Sequence, residues 1–308
     1  MLQRLQSRIN LPINPLLAHE LRSLMRSPRA YTVLTMYLSI VCGITVLLYI
    51  AASGSAGNGI NNSSSVGTAL FYVIIGMQTM LVCFLTPSFT AGAINGERER
   101  GTYDLLKMTP ISPFQIVFSK LTASVGFALL LVFTTLPLLS LALLLGGVEV
   151  LQLVAALSVI VLSALLFSIL GLYFSARMAS VLKSTIVTFA TVAGIVLGMA
   201  VFTLIAFPLV NGFIYSTSST IKTNPFLGTL LQLFIFLLMS VSPISAMVAT
   251  ETNLQESGNV WIISVSPLPG SLPLFDIPAP FVILVLLHLL ASIILFVRTM
   301  RCINRPYD

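Results

Sequence analysis

Asn95-Gly96-Glu97-Arg98-Glu99-Arg100-Gly101-Thr102-Tyr103-Asp104-Leu105-Leu106-Lys107-Met108-Thr109-Pro110-Ile111-Ser112-Pro113 is the densest charged stretch of this chain, and Lys120 closes it. The block holds seven of the chain's charged residues, which total 15 Lys and Arg and 9 Asp and Glu. The runs on either side, 66–94 and 121–145, are apolar. A short charged helix fixed between two membrane spans makes a poor lipid anchor and a good docking surface.

The rest of the chain decides the fold class. Of 308 residues, 57% are hydrophobic and only 8% charged, against about 25% charged in a soluble domain. The mean hydropathy of +1.03 agrees. The composition therefore describes an all-α polytopic membrane protein whose main surroundings are the lipid bilayer. The net charge of +6 does not point to nucleic acid, because the basic residues flank apolar runs instead of forming one stripe. Cys42, Cys83 and Cys302 have no metal-ligand spacing and give no case for a disulfide. The first apolar run begins near Tyr31, after Arg4, Arg8, Arg22, Arg26 and Arg29. It is longer than the roughly 7–15 residues of a cleaved signal, so it reads as a first span.

A hydrocarbon core of about 30 Å needs about 20 apolar residues. The runs 31–52, 66–94, 121–145, 151–176, 184–209 and 279–297 meet that length, and 225–249 is a further apolar stretch. Fourteen of the 15 Lys and Arg fall on alternate connectors, Lys222 being the exception. The positive-inside rule places those connectors in the cytoplasm. Arg298, Arg301 and Arg305 follow the last run, so an even number of spans keeps both termini cytoplasmic. The expectation is about six transmembrane helices plus one re-entrant or additional segment at 225–249, which turns near Pro243. At the N-terminus, Asn14-Pro15 can start a helix. Leu16, Leu17, Leu21, Leu24 and Met25 then recur at helical spacing among Glu20, Arg22, Arg26 and Arg29. That pattern suits a helix lying in the cytoplasmic interface within residues 1–30.

Inside the charged block, 97–108 can form about three helical turns. Glu97 and Glu99 lie at the N-terminal end, where the helix dipole favours acids. Arg100 and Asp104 are spaced to pair. Pro110 and Pro113 should stop the helix and turn the chain into the next span. Gly101 would serve close approach of a partner or backbone freedom.

Several chemistries are not written in this sequence. It has no Gly-x-x-x-x-Gly-Lys-Ser/Thr phosphate loop, so it does not hydrolyse a nucleotide by that route. The first five apolar runs hold no Asp, Glu, Lys or Arg. Proton-coupled carriers place ionisable relays there, and only His288 in the last run offers one. A hydrogen bond from His288 to a neighbouring helix is the expectation. An ion-coupled carrier or channel and a non-transport membrane scaffold are the rival readings.

The block resembles a known family. Glu97-Arg98-Glu99-Arg100-Gly101-Thr102, then Leu105-Leu106, Thr109-Pro110-Ile111-Ser112, Ile116 and Lys120, are similar to the membrane subunits of ABC transporters in the type-2 export permease class. Asn14-Pro15 followed by Glu20-Leu21-Arg22 is similar to that family's N-terminal lead. The resemblance implies a single permease domain over 1–308, an interfacial helix within 1–30 and a cytoplasmic coupling helix within 95–120. It implies a subunit of an ATP-driven exporter without an ATPase site of its own. ATP and magnesium would be bound by a separate cytoplasmic ATP-binding subunit, and no cofactor by this chain. A second permease chain, the same or different, would complete the pathway in the cytoplasmic membrane. Glu97, Arg98, Glu99, Arg100, Gly101, Thr102 and Asp104 would inherit docking of the ATPase.

Overall fold

The computed structural model describes residues 28–55, 63–101, 112–216, 225–257, 261–265 and 275–304. The proposed interfacial helix falls almost wholly outside these residues, as do Thr102, Asp104 and Arg305. Helices dominate: α1 Pro28–Ser55, α2 Ser63–Thr90, the short α3 Asn95–Glu99, α4 Pro113–Leu145 and α5 Val150–Arg177. They continue as α6 Val181–Ala193 and α7 Met199–Ser216, joined by a π-helical turn Gly194–Gly198, then α8 Pro225–Met239, α9 Pro243–Ser257 and α10 Pro280–Asn304. A two-stranded antiparallel ladder, β1 Ile262–Val265 on β2 Phe275–Pro278, precedes α10, and the Ala279 N–H closes onto the Trp261 carbonyl at 2.8 Å.

Six stretches are long and apolar enough to cross a membrane: Tyr31–Ala51, Ser64–Glu99, Pro113–Leu145, Val150–Arg177, Val181–Val210 and Pro280–Ile303. The chain is a multi-pass membrane protein. In lipid, helices gain little from apolar contact with one another, so close packing and interhelical hydrogen bonds hold the bundle. At the centre, Ser124 Oγ of α4 donates to the Thr86 carbonyl of α2 at 3.0 Å and lies 2.9 Å from Ser168 Oγ of α5. Among the described residues, the buried polar groups are neutral hydroxyls and amides, apart from Lys120 and His288. His288 does not bond a neighbouring helix. Its Nδ1 meets the Leu284 carbonyl of its own helix at 3.0 Å, and its ring stands edge-on to Phe167 of α5.

The apolar run 225–249 is two helices, broken at 240–242. Fifteen residues of α8 span only about 22 Å, short of a bilayer core. A break inside a membrane must satisfy its freed backbone groups internally, and serines do this here. Ser245 Oγ donates to the Met239 carbonyl at 2.7 Å, while Ser240 Oγ adds to the bond its own N–H already makes to the Phe236 carbonyl. Ser242 Oγ donates to the Val196 carbonyl at 3.1 Å, inside the π-helical turn that interrupts α6 and α7. One irregular turn thus seats another. Past the break, α9 runs back beside the start of α10, where Thr250 Oγ1 accepts the Phe281 N–H at 3.2 Å. The segment is thus an additional apolar stretch folded as two short helices, beside six helices long and apolar enough to cross a membrane.

The third span starts earlier than its apolar pattern shows. Pro113 does not stop a helix; it is the first residue of α4. Ser112 is the N-cap, with a capping box in which Ser112 Oγ accepts the Gln115 N–H and Gln115 Oε1 accepts the Ser112 N–H. Lys120 therefore lies two turns inside the helix.

Candidate functional site: a charged elbow on three helices

The charged block leaves α2 as an elbow. After Thr90 the chain makes a turn over 91–94, then the single turn of α3. Its base is built by small residues and hydroxyls. A Cβ at Gly171 of α5 would collide with Thr90 Oγ1 and lie 3.2 Å from the Ala91 nitrogen. That glycine lets α5 approach the elbow's backbone. Ser175 Oγ accepts the N–H groups of Ile94 and Asn95 at 2.9 and 3.2 Å. Ser184 Oγ of α6 donates to the Ala91 carbonyl at 2.6 Å, and Asn95 Nδ2 donates to the Ser180 carbonyl at 3.3 Å. Below them Ile94, Val117, Leu121, Leu172, Ala176 and Ile303 form one apolar cluster, so α10 ends at this same end of the bundle.

The three alternating charges each engage a different helix. Glu97 Oε1 pairs with Lys120 Nζ of α4 at 2.7 Å, with Lys120 only 8% exposed and Glu97 28%. Arg98 Nη1 donates to the Ala176 carbonyl at the C-terminus of α5, at 3.2 Å. Glu99 Oε1 accepts the Val181 N–H at the N-terminus of α6, at 2.9 Å. The last two sit where free carbonyls favour a cation and free N–H groups favour an anion. The acid-base-acid order is the order of the partners: lysine, helix C-terminus, helix N-terminus.

The expected three-turn helix is not continuous. Gly101 has φ +70° and its N–H bonds the Arg98 carbonyl at 3.0 Å, which ends α3. A Cβ there would meet nothing of this chain within 4 Å, so within the chain it is the backbone conformation that calls for glycine. Within the described residues, Glu99, Arg100 and Gly101 are the exposed part of the predicted docking set, while Glu97 and Arg98 are turned toward the bundle. Asn95, Ser175, Ser180 and Ser184 were not singled out from sequence. Serines between apolar residues carry no periodic signal that separates a helix-bridging hydroxyl from one bonded to its own turn.

A first prediction follows from φ at Gly101. Gly101→Ala and Gly101→Leu should destabilise alike, by about 1 kcal/mol, because the cost is in the backbone. Gly101→Asn should cost less. The melting temperatures of the three variants decide it, and a much larger effect of leucine would restore close approach as the reason.

The chain matches the family described as ABC-2 family transporter protein over residues 15–301, and it belongs to that family. It is a membrane permease component of an ABC transporter. No curated protein matches it.

Proposed function

We propose that this chain is the membrane-spanning subunit of an ATP-driven exporter, and that the elbow is where a separate cytoplasmic ATP-binding subunit docks. The observation that carries this reading is the distribution of Glu97, Arg98 and Glu99 over α4, α5 and α6. A load applied at Arg100 and Gly101 is passed to three spans at once, through one ion pair and two helix ends. A loop that only set topology would not need such seating. ATP and magnesium belong to the partner subunit, and Thr102 and Asp104, outside the described residues, are assigned to docking from the sequence alone. A second permease chain completes the translocation pathway.

Charge supports the cytoplasmic assignment of the elbow end. Arg100, Arg177, Lys183, Arg298 and Arg301 are all exposed at that end of the bundle, as the positive-inside rule requires of the cytoplasmic face. The start of α1 lies at the same end, so both termini are cytoplasmic in the cytoplasmic membrane.

Arg100 tests both statements. It is exposed and makes none of the elbow's own contacts described above. Arg100→Glu should leave insertion and melting temperature unchanged and weaken co-purification with the ATP-binding subunit by about tenfold. In a cysteine-free background, a cysteine replacing Arg100 should react with an impermeant maleimide only from the cytoplasmic side. Unchanged assembly would remove the docking role; labelling from outside would invert the topology.

A further inference from the structure

A cavity of about 270 Å³ lies between α2, α5, α9 and the start of α10, in the half of the bundle away from the elbow. Its inner part is apolar, walled by Ile75, Val159, Ile244 and Met247. Its polar groups gather mostly at the outer end: Tyr72, Gln152 and Thr250. From Tyr72 to Thr79 the slot runs along seven residues of α2, or about 10 Å. Among the described residues, no Asp, Glu, Lys or Arg lines it. Three of its polar side chains bond the protein. Thr79 Oγ1 donates to the Ile75 carbonyl at 2.7 Å, Thr250 Oγ1 to the Ala246 carbonyl at 2.7 Å, and Gln152 Oε1 accepts the Glu149 N–H at 2.7 Å.

Gly76 also lines the slot, and a Cβ there would meet nothing within 4 Å. Glycine is the poorest helix former after proline, and here it supplies space. Water gains little in the inner part of the slot, because apolar cavities without polar partners stay dry. Left empty, the lining would forfeit dispersion contacts. A cavity of about 150 Å³ already holds a benzene ring, so this one has room for one alkyl chain and not for two.

We infer that this slot binds a single alkyl chain of an amphipathic molecule, its neutral end at Tyr72, Gln152 and Thr250 and its tail against Ile75 and Ile244. The inference is independent of where the ATP-binding subunit docks. The chain could belong to a bilayer lipid or to a single-chain cargo, and the experiment separates the two.

The full-length protein is placed in phosphatidylcholine nanodiscs and photolabelled with straight-chain 1-alkanols of increasing length that carry a terminal diazirine. Peptide mass spectrometry gives the ratio of label on Ile244 and Met247 to label on Leu204 and Leu290, which face outward. The ratio should rise with chain length to a maximum and fall once the chain outgrows the slot. Gly76→Phe should lower it about tenfold without a lower melting temperature. Met247→Trp narrows the slot from the opposite wall and should do the same. A ratio that is flat with length and unchanged in both variants overturns the inference. If bilayer lipid is the occupant, replacing linear with methyl-branched lipid chains should raise labelling. If cargo is, lipid type should not matter, and the alkanols should stimulate ATP hydrolysis by the assembled transporter.

Discussion

Lys120→Met should lower the stability of the purified protein by on the order of 3 kcal/mol, read as a lower midpoint of thermal unfolding. Methionine keeps most of the lysine stem and removes only the ammonium. The Glu97 carboxylate then loses its 2.7 Å partner while still held against α4. A half-buried charge without its counter-ion costs more than the pair contributed, and Glu97, 28% exposed, places the effect at the lower end of the range for buried pairs. Glu97→Gln should cost less, because the amide oxygen can still accept from Lys120 Nζ. The double variant Glu97→Gln with Lys120→Met should recover most of the Lys120→Met loss, since no charge is left behind. Additive losses in the double variant would mean the two residues act separately. Coupling should suffer before the fold does: with α3 loosened from α4, ATP hydrolysis by the assembled complex should run with less transport.

The spans were legible because length and apolar content are summed over many residues. Their ends were not. The run 121–145 begins after Lys120 only because a charge looks like a boundary, whereas the helix begins at Pro113, where Ser112 caps it. That lysine enters the membrane end of a helix because Glu97 waits there, and a partner 23 residues away leaves no periodic trace. The break in the run 225–249 was legible through Pro243, which opens α9. The π-helical turn that receives it was not, since Gly194 and Gly198 read equally well as ordinary small residues of a span. The strand pair Ile262–Val265 with Phe275–Pro278 is too short to stand out from a Pro-rich connector.

Charge density in the sequence points to the elbow, but not to the direction in which its side chains turn. The family resemblance implies an ATPase-docking role for Glu97, Arg98 and Glu99 without saying which way they face. In the fold the first two turn inward and the third reaches the end of α6. Charge reversal at Glu97 and Glu99 would therefore unseat the elbow itself, and loss of ATPase binding in that variant would not identify a docking residue. Arg100 is the cleaner probe because removing it disturbs no contact between helices described above.

Gly171→Leu should uncouple the transporter. Even the first carbon of a side chain at 171 collides with Thr90 Oγ1 and crowds the Ala91 backbone nitrogen, which cannot rotate away. A leucine must push the end of α2 off α5. The neighbouring bonds go with it: Ser175 to Ile94 and Asn95, and Ser184 to Ala91. Overpacking of this kind costs about 1–3 kcal/mol, offset by up to about 1 kcal/mol from replacing a helical glycine. The protein should therefore still fold, with a lowered melting temperature, while ATP hydrolysis in the assembled complex no longer responds to transport. Gly171→Ala should show a milder form of the defect, and adding Thr90→Ala, which removes the colliding oxygen, should relieve it. Gly96→Ala is the control, because a Cβ there first meets Val181 at 4.0 Å, an ordinary contact. Normal coupling in Gly171→Leu would show that close approach of α5 to the elbow is not what transmits the signal. A defect in Gly171→Ala that Thr90→Ala fails to relieve would trace it to α5 itself.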